Sequence, residues 1–136
     1  MTAAAPTPTG DEPSEPLLDQ WLAKAEGDFV VAGRLADSGE QFHDAVAFHC
    51  QQAIEKLLKA ALVARGIEPP KVHDLPELFR RVRAAGLNWN WSLTELRTIT
   101  MGAVHARYPS HSVPADAARD ILRITRAIWS SLRPLV

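Results

Sequence analysis

The chain has 136 residues, 46% hydrophobic and 23% charged, with a formal net charge of -1, which fits one globular domain. Its single cysteine, Cys50, excludes an intramolecular disulfide framework and a multi-cysteine zinc site. No apolar run approaches the ~20 residues of a membrane span, and the N-terminus lacks the basic and apolar regions of a signal peptide, so the sequence reads as soluble and cytoplasmic.

Residues 1–15 are small, acidic and proline-rich. They offer too little apolar surface to offset ordering entropy and read as a disordered tail ahead of a helical domain over 16–136. From Pro16, Leu18, Trp21, Leu22, Ala25, Phe29, Ala32, Leu35 and Ala36 recur at helical spacing, with a stop at Ser38-Gly39. A second helix runs from about Phe42 to Arg65. Its main stripe is Val46, Cys50, Ala53, Ile54, Leu57, Ala61 and Leu62; Gly66 stops it, and Pro69-Pro70 cannot continue it. Asp74 and Pro76 open a short third helix with a variant capping box, and Gly86 closes it. Ser92 and Glu95 form the capping box of a fourth helix, which Tyr108-Pro109-Ser110 ends. A fifth helix starts near Pro114 and buries Ala118, Ile121, Leu122, Thr125, Ile128, Trp129 and Leu132. No strand or hairpin signal occurs. The prediction is all-α: an up-and-down five-helix bundle built on a long antiparallel hairpin.

The near-zero net charge hides a split. Residues 1–16 sum to -3, residues 17–79 to -4, and residues 80–136 to +6, every basic group in the last part being arginine. Arginine suits bidentate phosphate or carboxylate recognition; solvated helix faces would show the same excess. Arg119, Arg123 and Arg126 form a stripe on the fifth helix, either a phosphate-tracking ridge or a solvated face. On the second helix His49, Gln52 and Lys56 share an edge that Lys59 continues. They are donors for a phosphate or a partner's carboxylates, or a solvated flank with Lys56 paired to Gln52 or Glu55. Phe48 and Val63 lie off that helix's main stripe, which predicts a second buried side supplied by another subunit in a symmetric dimer.

The densest polar cluster is His105-Ala-Arg-Tyr-Pro-Ser-His111. Arg107 can stabilise charge on a phosphate, while His105 and His111 can move protons near neutral pH. The plain alternative is that Arg107 serves the helix end and Tyr108 packs. No metal-ligand spacing, glycine-rich phosphate loop or nucleophile elbow is present, so no metal and no cofactor is expected.

Read in order, Trp21-Leu-Ala-Lys-Ala25 with Asp28, the run Phe48-His-Cys-Gln-Gln-Ala-Ile-Glu-Lys-Leu-Leu-Lys-Ala60, Lys71-Val-His-Asp-Leu75 and Ala106-Arg-Tyr-Pro109 resemble the HEPN domain family, from about Trp21 to Trp129. The resemblance implies a helical bundle that pairs as a symmetric homodimer. It also implies a minimal nucleotidyltransferase as antitoxin partner, with this chain as toxin, or nucleotide binding. Active members are metal-independent ribonucleases whose arginine and histidine are separated by four to six residues at the dimer cleft. Here three residues separate Arg107 from His111 and seven separate Arg97 from His105, so the pattern is not met. The leading expectation is therefore a binding module for nucleotide, RNA or a partner nucleotidyltransferase, using Arg107, Tyr108, Lys56, Lys59, Arg119, Arg123 and Arg126. The second is a metal-independent endoribonuclease, with Arg107 stabilising charge and His111 or His105 as general acid or base.

Overall fold

The computed structural model describes residues 15–136. Five helices follow one another: α1 Glu15–Asp37, α2 His43–Val63, α3 Leu75–Ala84, α4 Leu93–Arg107 and α5 Ala115–Leu132, then a short 3-10 turn over Arg133–Leu135. Among the described residues there is no strand, and the expected all-α bundle is what forms. The expected tail lies outside the described residues except for Glu15, which already begins α1.

Local chemistry sets the helix ends. The Asp74 carboxylate accepts from the Glu77 amide at 3.1 Å, and Pro76 occupies the first turn of α3. Ser92 Oγ accepts from the Glu95 amide at 3.3 Å and starts α4. Each cap satisfies a donor that a helix N-terminus otherwise leaves orphaned. After α2 the chain closes a Schellman turn: the Ile67 amide donates to the Leu62 carbonyl at 3.0 Å and the Gly66 amide to Val63 at 2.9 Å. This requires Gly66 at φ 74°, where a Cβ would be strained. Gly86 repeats the arrangement after α3. Tyr108, held extended by the following Pro109, ends α4.

The helix α2 is the axis of the fold. It packs against α1, α3, α4 and α5, and 14 of its 21 residues are buried. Ile54, Leu57, Leu58 and Leu62 are almost fully enclosed, each contributing about 1.5–3 kcal/mol of burial free energy. The wide apolar circumference of α2 is therefore accounted for inside one chain. Val63 is buried by the bundle, and Phe48 is half-buried beneath the Arg107 guanidinium, 5.7 Å from its ring centroid. The apolar surplus that suggested a second subunit on α2 does not require one.

Two parts of the core lie outside regular helix. Trp89, between α3 and α4, is 5% exposed. It meets Phe79 edge-on at 5.5 Å and donates through its indole N–H to Ser131 Oγ at 2.7 Å. Val113, before α5, is buried, and its amide donates to an Asp44 carboxylate oxygen at 2.7 Å. That bond anchors the loop after α4 to the N-terminal end of α2. Among the described residues no helix is long and apolar enough to cross a membrane.

Candidate functional site

At the end of α4 the histidines converge. The His105 and His111 rings stack with centroids 5.5 Å apart and 29° between planes, and Tyr108 meets His111 edge-on at 6.4 Å. The turn that achieves this is short: the Tyr108 amide donates to the His105 carbonyl at 3.3 Å, and the His111 amide to the Tyr108 carbonyl at 3.1 Å. Arg107 takes a different direction, over Phe48 of α2. His105, Arg107, Tyr108 and His111 are all exposed. Among the described residues no hydrogen bond joins Arg107 to either histidine, so the cluster is a shared surface without a formed acid–base pair.

Eight of the nine arginines after residue 79 divide into two groups. Arg80 and Arg81 face Glu77, and Arg83 bonds the Trp89 carbonyl and Asn90. Arg123 contacts Asp120 at 2.6 Å and faces Glu95 at 3.9 Å; the hydrogen bond and charge of Asp120 raise its pKa. Arg97, Arg107, Arg119 and Arg126 are exposed and have no acidic partner among the described residues. Of the proposed α5 stripe, Arg119 and Arg126 keep free charge, while Arg123 is occupied on its own helix.

The lysines of α2 are placed otherwise than the sequence suggested. Lys56 reaches Asp28 on α1, whose other oxygen lies 2.8 Å from His49 Nδ1. Neither Gln52 nor Glu55 is its partner. Lys59, expected to continue an outward donor edge, is 5% exposed; it donates to Glu55 at 3.1 Å and sits over the Trp21 ring at 5.9 Å. The physical reason is the contact of α1 along this edge, which turns it into an interhelical seam. Glu55 is itself buried and also meets Gln51 Nε2 and His73 Nδ1, each at 2.9 Å. Burial alone would raise the Glu55 pKa, but bonds from Gln51, His73 and Lys59, with the Lys59 charge, outweigh it and hold the carboxyl below its ordinary value.

The HEPN domain model matches residues 18–134, most of the chain. The chain belongs to the HEPN domain family. No match was found among curated proteins or among solved structures. HEPN domains are associated with nucleotide- and RNA-related function and commonly dimerise.

Within this HEPN chain the surface at the end of α4 offers hydrogen-bond donors, fixed positive charge and an exposed phenol. It suits an anionic ligand better than a buried reaction centre. Among the described residues no three His, Cys, Asp or Glu side chains gather closely enough to hold a metal ion. Cys50 is enclosed, and burial pushes its thiol up to about 11 against weaker lowering by Thr125 and Arg126. Sequence reasoning missed the roles of Asp28, Gln51 and Glu55. Glu55 and Lys59, four apart and flanked by Ile54, Leu57, Leu58 and Ala60, were the available signal: two charges among apolar neighbours imply a paired, desolvated network.

Proposed function

We propose that this HEPN chain is a dimeric module that binds RNA, or a nucleotide as its smallest fragment, through exposed arginines of α4 and α5. The observation that carries the reading is the group of exposed arginines, Arg97, Arg107, Arg119 and Arg126, left without acidic partners among the described residues. Unneutralised arginine is what a phosphate backbone displaces counterions to reach. Tyr108, 56% exposed beside Arg107, adds a face on which an unpaired base can stack. In this reading a minimal nucleotidyltransferase is the antitoxin partner and the chain is the toxin.

The stacked His105–His111 pair supports a second reading, a metal-independent endoribonuclease. Arg107 would stabilise phosphorane charge, and one histidine would exchange a proton with the 2′ oxygen or the leaving oxygen. Single-stranded and hairpin RNA, fluorescently labelled, should be titrated at two salt concentrations and also incubated in EDTA. Salt-sensitive binding with intact RNA supports the module. Cleavage that disappears in Arg107→Ala supports the nuclease. Absence of both refutes each reading.

A further inference from the structure

Where the N-terminal part of α1 lies against α2 there is an open pocket of about 320 Å³. Leu17, Gln20, Trp21 and Lys24 line it from α1 at helical spacing, and Lys56 lines it from α2. Trp21 is half-buried and also covers the Lys59 ammonium, 5.9 Å from its ring centroid. Leu17 is 42% exposed. Among the described residues no carboxylate lines the pocket. Asp28 bonds Lys56 and is shared with His49, whereas Lys24 is exposed and has no acidic partner among the described residues. The pocket therefore offers an apolar shelf, Leu17 and Trp21, and one unpaired ammonium.

Connectivity and charge select the occupant. The pocket begins three positions after Ser14. Residues 1–14 hold Asp11 and Glu12, no lysine or arginine, and prolines at 6, 8 and 13. Proline-rich segments dock on aromatic-lined surfaces, and carboxylates pair with ammonium groups. On an extended backbone Pro13 reaches about 7 Å and Asp11 about 13 Å from Glu15. Along α1, Trp21 lies about 9 Å and Lys24 about 13.5 Å from the same residue. A segment returning antiparallel to α1 thus brings proline to tryptophan and carboxylate to ammonium in one register. A short tether holds it at an effective concentration in the millimolar range, an advantage that the same segment of a second copy, or a foreign peptide, lacks. A polyphosphate finds a single unpaired ammonium here, and Leu17 offers it nothing.

We propose that the α1–α2 pocket receives the chain's own residues 11–14, with Pro13 on Leu17 and Trp21 and the carboxylate of Asp11 or Glu12 on Lys24. The contact makes this segment an internal competitor for any anionic partner of Lys24. The proposal does not rest on RNA binding, which the arginines of α4 and α5 carry.

The test places a nitroxide on the full, isotope-labelled chain through Thr9→Cys. Cys50 is enclosed, so the introduced thiol is the one that reacts. At low salt the Trp21 indole and the Lys56 amide should lose their NMR signals, while Ala36 at the far end of α1 keeps its own. Salt at about 1 M, where the Debye length is about 3 Å, should restore most of each signal. Lys24→Glu should also restore them, and adding Asp11→Lys and Glu12→Lys to Lys24→Glu should remove them again. Circular dichroism establishes that each variant is folded. Signals kept at low salt, broadening that Lys24→Glu leaves unchanged, or no renewed broadening in the charge-reversed chain overturns the proposal. A labelled chain without nitroxide, mixed with an unlabelled nitroxide-bearing one, should stay sharp. Broadening in that mixture shows the segment of a second copy in the pocket, and the proposal also falls.

Discussion

His73 Nδ1 lies 2.9 Å from Glu55 Oε1 across eighteen residues of sequence, and Gln51 Nε2 reaches the His73 carbonyl at 3.0 Å. This pair of contacts ties the loop before α3 to the middle of α2. With Lys59 it makes a polar network whose Gln51, Glu55 and Lys59 are buried, while the His73 ring at its rim stays 67% exposed. A buried ion pair adds little over an apolar pair, but losing one partner strands the other.

Glu55→Gln should therefore destabilise the fold by about 3–5 kcal/mol, because the Lys59 ammonium stays buried without its counter-charge. Glu55→Gln with Lys59→Met should recover most of that loss. Urea unfolding of the single and double variants measures both. A double variant no more stable than Glu55→Gln would show that the network matters as a whole.

The same network sets an acid limb. Glu55 has its pKa lowered in the folded state. Its contribution is thus complete above the ordinary glutamate value and is lost as pH falls through the depressed folded value. Stability measured from neutral pH downward should fall in that acidic window in wild type and fall less in Glu55→Gln.

Gly102→Ala should destabilise by about 1–3 kcal/mol through overpacking, less the up to ~1 kcal/mol that alanine adds to helix propensity. A Cβ there would stand 2.5 Å from Ile121 Cδ1. Because that atom ends a flexible side chain, Gly102→Ala with Ile121→Val should be markedly more stable than Gly102→Ala alone. Thermal unfolding distinguishes this from a backbone clash, which Ile121→Val would not relieve.

Cys50 should resist thiol reagents at pH 8 in the folded protein. Its thiol is enclosed and pushed up to about 11, so the thiolate is scarce and unreachable. Reaction with a maleimide should begin only as denaturant unfolds the bundle and should follow the unfolding curve.

Arg107→Ala should weaken RNA binding across sequences and reduce the slope of log affinity against log salt by about 1. The fold should lose only the contact over Phe48. Salt titrations of wild type and variant check the slope, and an unchanged slope removes Arg107 from the phosphate contacts.

The helices and their ends were legible in the sequence. Asp74, Ser92, Gly66 and Gly86 act within a few residues of themselves through amide bonds and backbone geometry, so their effect can be read without knowing the fold. The segregation of arginine toward the C-terminal half was equally direct. Which charges remain free was decided by tertiary structure. Lys56 and Lys59 share an edge of α2 that reads as solvated until α1 is laid along it, supplying Asp28 to one and covering the other with Trp21. Trp89 and Val113 sit in loops that no periodicity marks, and they are core residues because Ser131 and Asp44 await them on other helices. Local rules fix where a helix starts and stops; burial and charge pairing depend on which helix lies beside it, and that is set by long-range packing around α2.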